Sequence, residues 1–231
     1  MSHLVIAGGS TGIGRDIVPT LQVRGHAITR LSRGRYAEGL DAIHRHQPID
    51  GLLLCQRYRG PDEWEGEIAT SLTATKEMLE WVGSRLMDVS IVLIVSVAAV
   101  SVEEEQPVSY HMAKAAMMEM VRYYAVTLGS SGVRVNAILP GLTIKPEARE
   151  FYDAHPQLEA LYRDITPLGR LGTAADVGYL VDFLVGPSSA YLTGQTIVLD
   201  GGISLRSSWA LARRVSPTLR DLPVTQRKAG R

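Results

Sequence analysis

The sequence has a single cysteine, Cys55, among its 231 residues. One cysteine excludes an intrachain disulfide and a metal cluster held by several thiolates, so no metal site is predicted. Three leucines precede Cys55, and this setting is typical of a buried, inert thiol.

The chain also lacks net charge, because its 24 lysine and arginine residues match its 24 aspartate and glutamate residues. This balance does not favour a nucleic-acid or membrane partner. Residues 203–231 nevertheless hold seven basic residues and one acid, a local charge of +6. We expect this basic C-terminal extension to be mobile in solvent or to dock on an acidic face of a neighbouring subunit.

A hydrophobic run of membrane-spanning length is missing too. The apolar residues 91–100 number only ten, which suits a buried strand and cannot cross a bilayer. The N-terminal residues lack the charged-then-apolar layout of a secretion signal. We therefore expect a cytoplasmic protein.

Glycines are concentrated near the N-terminus. An apolar run at residues 3–7 leads into Gly8-Gly-Ser-Thr-Gly-Ile-Gly14, and a helical pattern follows to Arg24. Glycines let the backbone approach a phosphate closely, and a helix N-terminus offers unpaired N–H groups to an anion. The segment predicts a phosphate-binding turn, with a turn that binds no nucleotide as the alternative. Pro19 falls inside the predicted helix and is expected to kink it.

Strand and helix patterns alternate along the chain. Predicted strands cover residues 3–7, 26–31, 49–54, 91–96, 133–139 and 196–199, and predicted helices include 36–46, 61–87, 110–130, 146–163 and 173–185. This alternation predicts an α/β fold, a Rossmann-like doubly wound parallel sheet in three α/β/α layers. We expect one domain over residues 1–202, with its site beyond the carboxyl ends of the strands.

Tyr110 and Lys114 are four residues apart on a predicted helix and therefore share one face. An ammonium beside a phenol favours the phenolate, which makes the pair suitable for proton transfer to a carbonyl or from an alcohol. The plainer alternative is an exposed lysine beside a half-buried tyrosine.

Six segments in this order resemble the short-chain dehydrogenase/reductase family, in its single-domain branch similar to bacterial 3-oxoacyl-acyl-carrier-protein reductases. They are Gly8-xxx-Gly12-Ile-Gly14, Ser96, Tyr110-xxx-Lys114, Arg134-Val-Asn-Ala-Ile-Leu-Pro-Gly141, Pro167-Leu-Gly-Arg-Leu-Gly172, and Tyr191-Leu-Thr-Gly-Gln195 leading to Asp200-Gly-Gly202. The resemblance implies a dinucleotide-binding and catalytic domain over residues 1–202.

The resemblance implies catalytic roles for four residues. Tyr110 would be the general acid in reduction and the base in oxidation. Lys114 would favour the phenolate of Tyr110 and hold the nicotinamide ribose. Ser96 would hydrogen-bond the substrate oxygen, although a serine that only caps a backbone group at a strand end is the alternative. Ser71 stands where the family commonly has an asparagine that binds water for a proton relay.

The resemblance also implies a cofactor site. The glycine turn, with Gly8, Ser10, Thr11, Gly12, Ile13 and Gly14, would cradle the pyrophosphate, and Pro140, Gly141 and Thr143 would line the nicotinamide end. Tyr110 and Lys114 would contact the cofactor too. Ser32 and Arg33 stand where NAD-preferring members place an aspartate, and an arginine there can pair with a 2′-phosphate. The sequence therefore favours NADP(H) over NAD(H), with a solvated basic turn as the alternative.

The chain departs from the family on the adenine side. Only 15 residues, 34–48, separate the second strand from the strand that begins at residue 49. The family fits a helix, a strand and another helix there, so we expect the usual third strand to be missing and the sheet to have six strands. The family's Asn-Asn-Ala-Gly motif reads Leu54-Cys-Gln-Arg57, and Arg57 is expected to add positive charge near the phosphates.

The leading functional hypothesis is an NADP(H)-dependent carbonyl reductase or alcohol dehydrogenase that acts on a small molecule. The alternatives are a catalytically weak binding or scaffold subunit, and a related dehydratase, isomerase or epimerase. The resemblance implies a homotetramer or homodimer in which the helices 61–87 and 110–130 pack against their symmetry mates. The resemblance also implies that segment 143–165 is a substrate lid. Its apolar and aromatic residues (Phe151, Tyr152, Leu158, Leu161 and Tyr162) are candidates for substrate contacts, with the core of the lid as the alternative.

Overall fold

The computed structural model describes residues 2–61, 63–144, 148–216 and 218. The strands are β1 (His3–Ala7), β2 (Ala27–Leu31), β3 (Gly51–Leu54), β4 (Ser90–Ile94), β5 (Arg134–Pro140), β6 (Thr143–Ile144), β7 (Gly172–Thr173) and β8 (Thr196–Leu199). The helices are α1 (Gly12–Asp16), α2 (Val18–Val23), α3 (Tyr36–His44), α4 (Glu63–Glu67), α5 (Ala74–Arg85), α6 (Val108–Leu128), α7 (Arg149–Ala154), α8 (Pro156–Ile165), α9 (Ala174–Val185) and α10 (Ser208–Val215).

Six of these strands form one parallel sheet in the order β2-β1-β3-β4-β5-β8. Strands β1, β3 and β4 are buried along their whole length, as parallel strands covered on both faces must be. Apolar residues of α5 and α6, such as Met78 and Val121, cover one face of the sheet. Residues of α2 and α9, such as Leu21 and Val181, cover the other. The predicted three-layer, doubly wound α/β fold is confirmed.

Strand β2 forms an edge of this sheet. Its partner is β1, which pairs on its other side with β3, and α3 alone connects β2 to β3. The six-stranded sheet without the family's usual third strand is therefore as predicted. The order in which strands are added to the sheet reverses between the parallel strands β1 and β3, and this switch point places a crevice at their carboxyl ends.

The predicted helix 61–87 is a single helical run with a change of pitch. Helix α4 passes into a π-helical segment, Ile68–Thr73, and then into α5. Such π segments occur frequently at functional sites, and this one contains Ser71. The first predicted helix is interrupted at Ile17, between α1 and α2, and Pro19 occupies the first turn of α2.

Helix α9 begins with a capping box formed by Thr173 and Asp176. The Thr173 side chain accepts a hydrogen bond from the Asp176 N–H, and the Asp176 carboxylate accepts one from the Thr173 N–H. Arg170 donates two hydrogen bonds to the same carboxylate, at 2.8 and 2.7 Å. The start of α9 is thus fixed by reciprocal polar contacts.

The second half of the chain holds two features that the sequence did not predict. Strands β6 and β7 pair in a separate small sheet, and the segment between them carries α7 and α8 where one helix was expected. Helix α10 packs against α8, where Arg214 Nη2 lies 2.8 Å from Asp164 Oδ1. Residues 219–231 lie outside the described residues, so mobility or docking of the basic extension stays a prediction.

Across the described residues, no helix combines the length and the apolar character needed to cross a membrane.

Candidate active site

The loops that follow five strands meet at one edge of the sheet. Gly8 follows β1, Arg33 follows β2, Gln56 follows β3, Ser96 follows β4 and Gly141 follows β5. Because parallel strands end at the same edge, residues far apart in the sequence come together there. They surround two adjoining cavities, which share Ile13, Cys55, Gln56 and Arg57.

The first, here called the catalytic cavity, has a volume of about 480 Å3. It is lined by Ser96, Tyr110, Lys114, Pro140, Gly141 and Thr143 among others. The second, here called the glycine-turn cavity, has a volume of about 90 Å3. It is lined by Gly8, Ser10, Thr11, Gly12, Ile13 and Arg33 among others. Of the predicted site residues, Gly14, Ser32 and Ser71 lie outside both linings.

Tyr110 and Lys114 lie in the first two turns of α6 and are both largely buried, with 9% and 2% of their surfaces exposed. The Lys114 Nζ is 5.3 Å from the centroid of the Tyr110 ring. The plainer alternative of an exposed lysine is therefore wrong. A buried ammonium beside a phenol at a cavity wall is an arrangement suited to proton transfer.

Burial controls the charge of Lys114. It lowers the pKa of the ammonium from its ordinary 10.5 to about 8, since a low dielectric disfavours the charged form. The carboxylate of Glu67 acts in the opposite direction and raises the pKa, while the nearby Arg57 lowers it further. At pH 7 the ammonium form still predominates.

Ser96 lies just beyond β4 and begins a short 3₁₀ turn, Val97–Ala99. Its Oγ accepts a hydrogen bond from the Ala98 N–H at 3.1 Å, so the capping role offered as the alternative is present. The two roles are compatible, because an Oγ that accepts from the backbone keeps its own hydrogen for donation into the catalytic cavity.

The glycine turn depends on close backbone packing. A Cβ at Gly8 would lie 2.5 Å from the Gln56 backbone nitrogen, and the φ of Gly8 is +79°. A Cβ at Gly14 would lie 2.5 Å from the Gly8 carbonyl oxygen. A side chain at Gly8 would clash with the backbone of the loop after β3, and one at Gly14 would clash with the turn itself.

Arginines surround the glycine-turn cavity. Arg33, after β2, lines it as predicted, while the adjacent Ser32 is exposed and lies outside the lining. Arg59, which the sequence reading missed, brings its Nη2 within 3.2 Å of the Cβ position that Gly12 lacks. Its guanidinium therefore covers the turn on which a phosphate would sit. The position of Arg59, two residues after Arg57, was the feature of the sequence that could have indicated it.

The segment after β3 joins the two cavities. Gln56 is buried, and its Nε2 donates to Thr75 Oγ1 at 2.8 Å, while no donor among the described residues reaches its Oε1. Arg57 donates to Gln106 Oε1 at 2.8 Å, and its guanidinium lies 4.9 Å from the Tyr110 ring centroid.

Burial raises the pKa of the Cys55 thiol well above its ordinary range, in keeping with an inert cysteine, although its side chain is half-buried.

These residues fit a nicotinamide cofactor. The turn requires its glycines, and Arg33 and Arg59 lie beside it. A close backbone with two guanidinium groups suits a pyrophosphate and a further phosphate group. The buried Gln56 Oε1 lacks a protein donor at the junction of the cavities, and a ribose hydroxyl has the donor that it needs.

Ser71 does not line either cavity. It is completely buried in the π-helical segment, and its Oγ donates to Glu67 Oε2 at 2.6 Å. Glu67 is a further residue that the sequence reading missed, although its spacing of four residues from Ser71 indicated a shared helix face. Asn136 donates a hydrogen bond to Leu192 O and accepts one from the Gln195 N–H.

Segment 143–165 contributes little to the catalytic cavity. Of its five candidate contacts, Tyr162 lines the cavity, whereas Phe151 and Leu161 are exposed and lie outside the lining. Acidic residues of the loop before α6, Glu103 and Glu105, line it instead, together with Ile203. The sequence showed the acidic loop but not its fold over the site.

A protein-family model described as Enoyl-(Acyl carrier protein) reductase matches residues 59–204, more than half of the chain. Senescence-associated protein 13 of Arabidopsis thaliana is 40% identical over 116 residues, which cover 50% of this chain and 42% of that protein. A tropinone reductase homolog of the same plant is 38% identical over 96 residues, which cover 42% of this chain and 35% of that protein. The chain thus matches less than half the length of these curated relatives.

The fold also has solved counterparts. The ligand-free aldohexose dehydrogenase of Thermoplasma acidophilum superposes with a TM-score of 0.75, over 90% of this chain and 95% of that chain, at 22% identity. At this identity the likeness shows a common fold.

Proposed function

The chain belongs to the short-chain dehydrogenase/reductase family, in the group described as Enoyl-(Acyl carrier protein) reductase, and on this premise we propose that it reduces a small ketone or aldehyde with NADP(H), or runs the reverse reaction. The observation that carries the proposal is the buried Lys114 beside Tyr110, in a cavity that Ser96 also lines. A tropinone reductase homolog among the relatives also supports chemistry at a ketone.

In the direction of reduction, the carbonyl oxygen lies between Ser96 and Tyr110. A nicotinamide held in the crevice would supply the hydride that the carbonyl carbon takes up. The Tyr110 hydroxyl gives its proton to the oxygen, on which negative charge develops, and the Ser96 hydroxyl donates a hydrogen bond to it. The Lys114 ammonium stabilises the phenolate that remains. In oxidation the same phenolate removes the proton of the alcohol.

The preference for NADP(H) rests on Arg33. Its guanidinium lines the glycine-turn cavity at the end of β2, where it would pair with a 2′-phosphate, and Arg59 would hold the pyrophosphate. We expect Arg33→Ala to weaken NADPH binding by roughly 10- to 100-fold, from about 1.5–3 kcal/mol for a charged hydrogen bond, and to leave NADH binding unchanged. Fluorescence titration measures both affinities.

Arg35→Ala is the matched control for Arg33. It removes an equal charge two residues away, from a side chain that is exposed and bonded to Glu38. An equal loss of NADPH affinity in both variants would mean that Arg33 makes no specific contact with the 2′-phosphate and belongs to a solvated basic turn.

Substitution of the proton donor tests the reaction. We expect wild type to consume NADPH with members of a ketone and aldehyde panel, and Tyr110→Phe to lose about 10²–10⁴ in rate while still binding NADPH. Tyr124→Phe, on the same helix and also buried, is the matched control.

The panel also separates the alternative functions. A wild-type chain that binds no cofactor would contradict the proposal and favour a binding or scaffold subunit. Conversion of a substrate without net consumption of NADPH would favour a dehydratase, isomerase or epimerase that uses the same tyrosine.

For assembly we propose a homodimer or homotetramer built on α6. This helix exposes an apolar stripe, made of Val108, Met112, Tyr123 and Val126, on the face opposite its buried residues. Exposed apolar stripes of this kind favour packing against a second helix. Light scattering tests the state, and an acidic substitution at Val126 should shift it toward monomer. A cytoplasmic location is part of the same proposal.

A further inference from the structure

Glu67 is a buried carboxylate that none of the steps above uses. It ends α4, and only 4% of its surface is exposed. Carboxylates are rarely buried unless a partner compensates them. Its one described hydrogen bond comes from Ser71, at 2.6 Å, and Ser71 is completely buried.

Glu67 lies close to the catalytic pair. Helix α4 and the π-helical segment both pack against α6, which carries Tyr110 and Lys114. Glu67 also lines a cleft of about 300 Å3, together with Tyr110 and Arg57. Because Tyr110 and Arg57 line the catalytic cavity as well, the two spaces meet at these side chains.

The charges around Lys114 are otherwise unfavourable. The titratable and charged groups that act on it are Glu67 from α4, Arg57 and Cys55 from the segment after β3, and Tyr110 from its own helix. Glu103 and Glu105, from the loop before α6, line the same catalytic cavity. Arg57 repels the ammonium, and the pKa of the Cys55 thiol is raised, so the thiol stays neutral. Glu67 is the carboxylate whose charge raises the pKa of Lys114 and so favours its ammonium form.

We propose that Glu67, held in place by the Ser71 hydroxyl, is the buried counter-ion that keeps Lys114 in its ammonium form. Glu67 is a positioning residue, since it acts through Lys114 and touches no reacting atom. Ser71 then has a task other than the water-binding role predicted from the sequence. The relevance of this pair to turnover rests on the proposed function of Tyr110 and Lys114.

The charge state of Lys114 can be read directly in the full-length protein without cofactor. The sequence has only four lysines, Lys76, Lys114, Lys145 and Lys228, so a lysine labelled with ¹³C at Cε gives few NMR signals. A Lys114→Arg variant assigns the signal of interest. Titration of the Cε shift with pH then measures the pKa of Lys114, with the exposed Lys76 as an internal reference.

Glu67→Gln keeps the shape of the side chain and removes its charge. We expect it to lower the pKa of Lys114 by roughly one unit and to leave that of Lys76 unchanged. Glu63→Gln is the matched control, because Glu63 is exposed on the same helix and lines the same cleft. A Lys114 pKa that is the same in Glu67→Gln as in wild type would overturn the proposal.

Two further variants keep the test decisive if Glu67→Gln does not fold. Ser71→Ala retains the carboxylate without its anchor, and Glu67→Asp retains the charge at a greater distance. The proposal requires that both variants lower the pKa of Lys114, each by less than Glu67→Gln does. An unchanged Lys114 pKa in both variants would contradict it.

Turnover separates this inference from the proposed function. If wild type consumes NADPH, the pH at which reduction declines on the alkaline side should fall by the same amount in Glu67→Gln. A shifted NMR titration in a chain that consumes no NADPH would refute the reductase function and leave the counter-ion role standing.

Discussion

The two ends of the crevice differ in how closely they follow the family. At the nicotinamide end, Ser96, Tyr110 and Lys114 line one cavity, and the family model matches this part of the chain, residues 59–204. At the adenine end, the matched residues begin only after the glycine turn and Arg33, and the third strand of the family is missing. The proposed proton transfer at the nicotinamide end requires particular side chains in particular positions. Phosphate binding at the adenine end requires only a closely approaching backbone and positive charge.

This difference predicts that substitutions at the nicotinamide end change turnover and that those at the adenine end change affinity. A large fall in turnover is expected from Ser96→Ala. Loss of one donor to a developing oxyanion lowers kcat by about 10²–10³, with NADPH affinity unchanged. Steady-state kinetics with fluorescence titration measures both quantities. Ser101→Ala, which removes an exposed hydroxyl bonded to Val97 O, is the control.

Lys114→Met should stabilise the protein while abolishing turnover. Burial lowers the pKa of Lys114 from 10.5 to about 8, which corresponds to roughly 3 kcal/mol of unfolding free energy at pH 7. Between pH 8 and 10.5 the unfolded chain binds more protons than the folded one, so wild-type stability rises there and the gap to the variant closes. Denaturant unfolding at pH 7 and pH 9 measures this trend. A Lys114→Met variant no more stable than wild type at pH 7 would contradict the claim that the buried ammonium destabilises the fold.

Gly8→Ala is the corresponding change at the adenine end. Its Cβ would lie 2.5 Å from the Gln56 nitrogen, and overpacking of this kind costs about 1–3 kcal/mol. NADPH affinity should fall roughly tenfold or more, while kcat at saturating cofactor stays near wild type. Gly25→Ala is matched in backbone angle, with φ of +89°, but its Cβ meets no atom within 4 Å. Equal affinities in the two variants would break the comparison.

The smallest effect concerns a helix outside both ends. Asp176→Asn should cost about 1 kcal/mol of stability, through loss of the cap on α9, and should change neither turnover nor affinity. Hydrogen bonds from Arg170 lower the pKa of Asp176 to about 2 despite partial burial, so this contribution is present above pH 3.8 and is lost as the pH falls through 2. Thermal unfolding between pH 7 and pH 2 measures it.

Local patterns were sufficient to predict the fold. Alternating strands and helices, and the short segment 34–48, foretold the six-stranded sheet, because these features depend on neighbours in the sequence. The pairing of β6 with β7 was missed, since two-residue strands leave no period to detect.

The candidate site was predictable only where a motif was intact. Tyr110, Lys114 and Ser96 line one cavity. The spacing predicted a shared helix face for Tyr110 and Lys114, and the family resemblance placed Ser96 with them. Arg59 over Gly12 and Glu67 beside Ser71 were missed, because both depend on how loops and helices meet in space. Of the five candidates in segment 143–165, Tyr162 lines the cavity, and the contribution of the acidic loop was missed.

The central claim is that arginines at the shortened adenine end still bind the adenosine half of NADP(H), including its 2′-phosphate. Titration of the wild-type chain with this half of the molecule tests the claim most directly. Isothermal calorimetry compares 2′,5′-ADP with 5′-AMP, which lacks the 2′-phosphate. Pairing of Arg33 with that phosphate predicts that 2′,5′-ADP binds at least about tenfold more tightly. Equal affinities, or no binding of either nucleotide, would contradict this account of the adenine end.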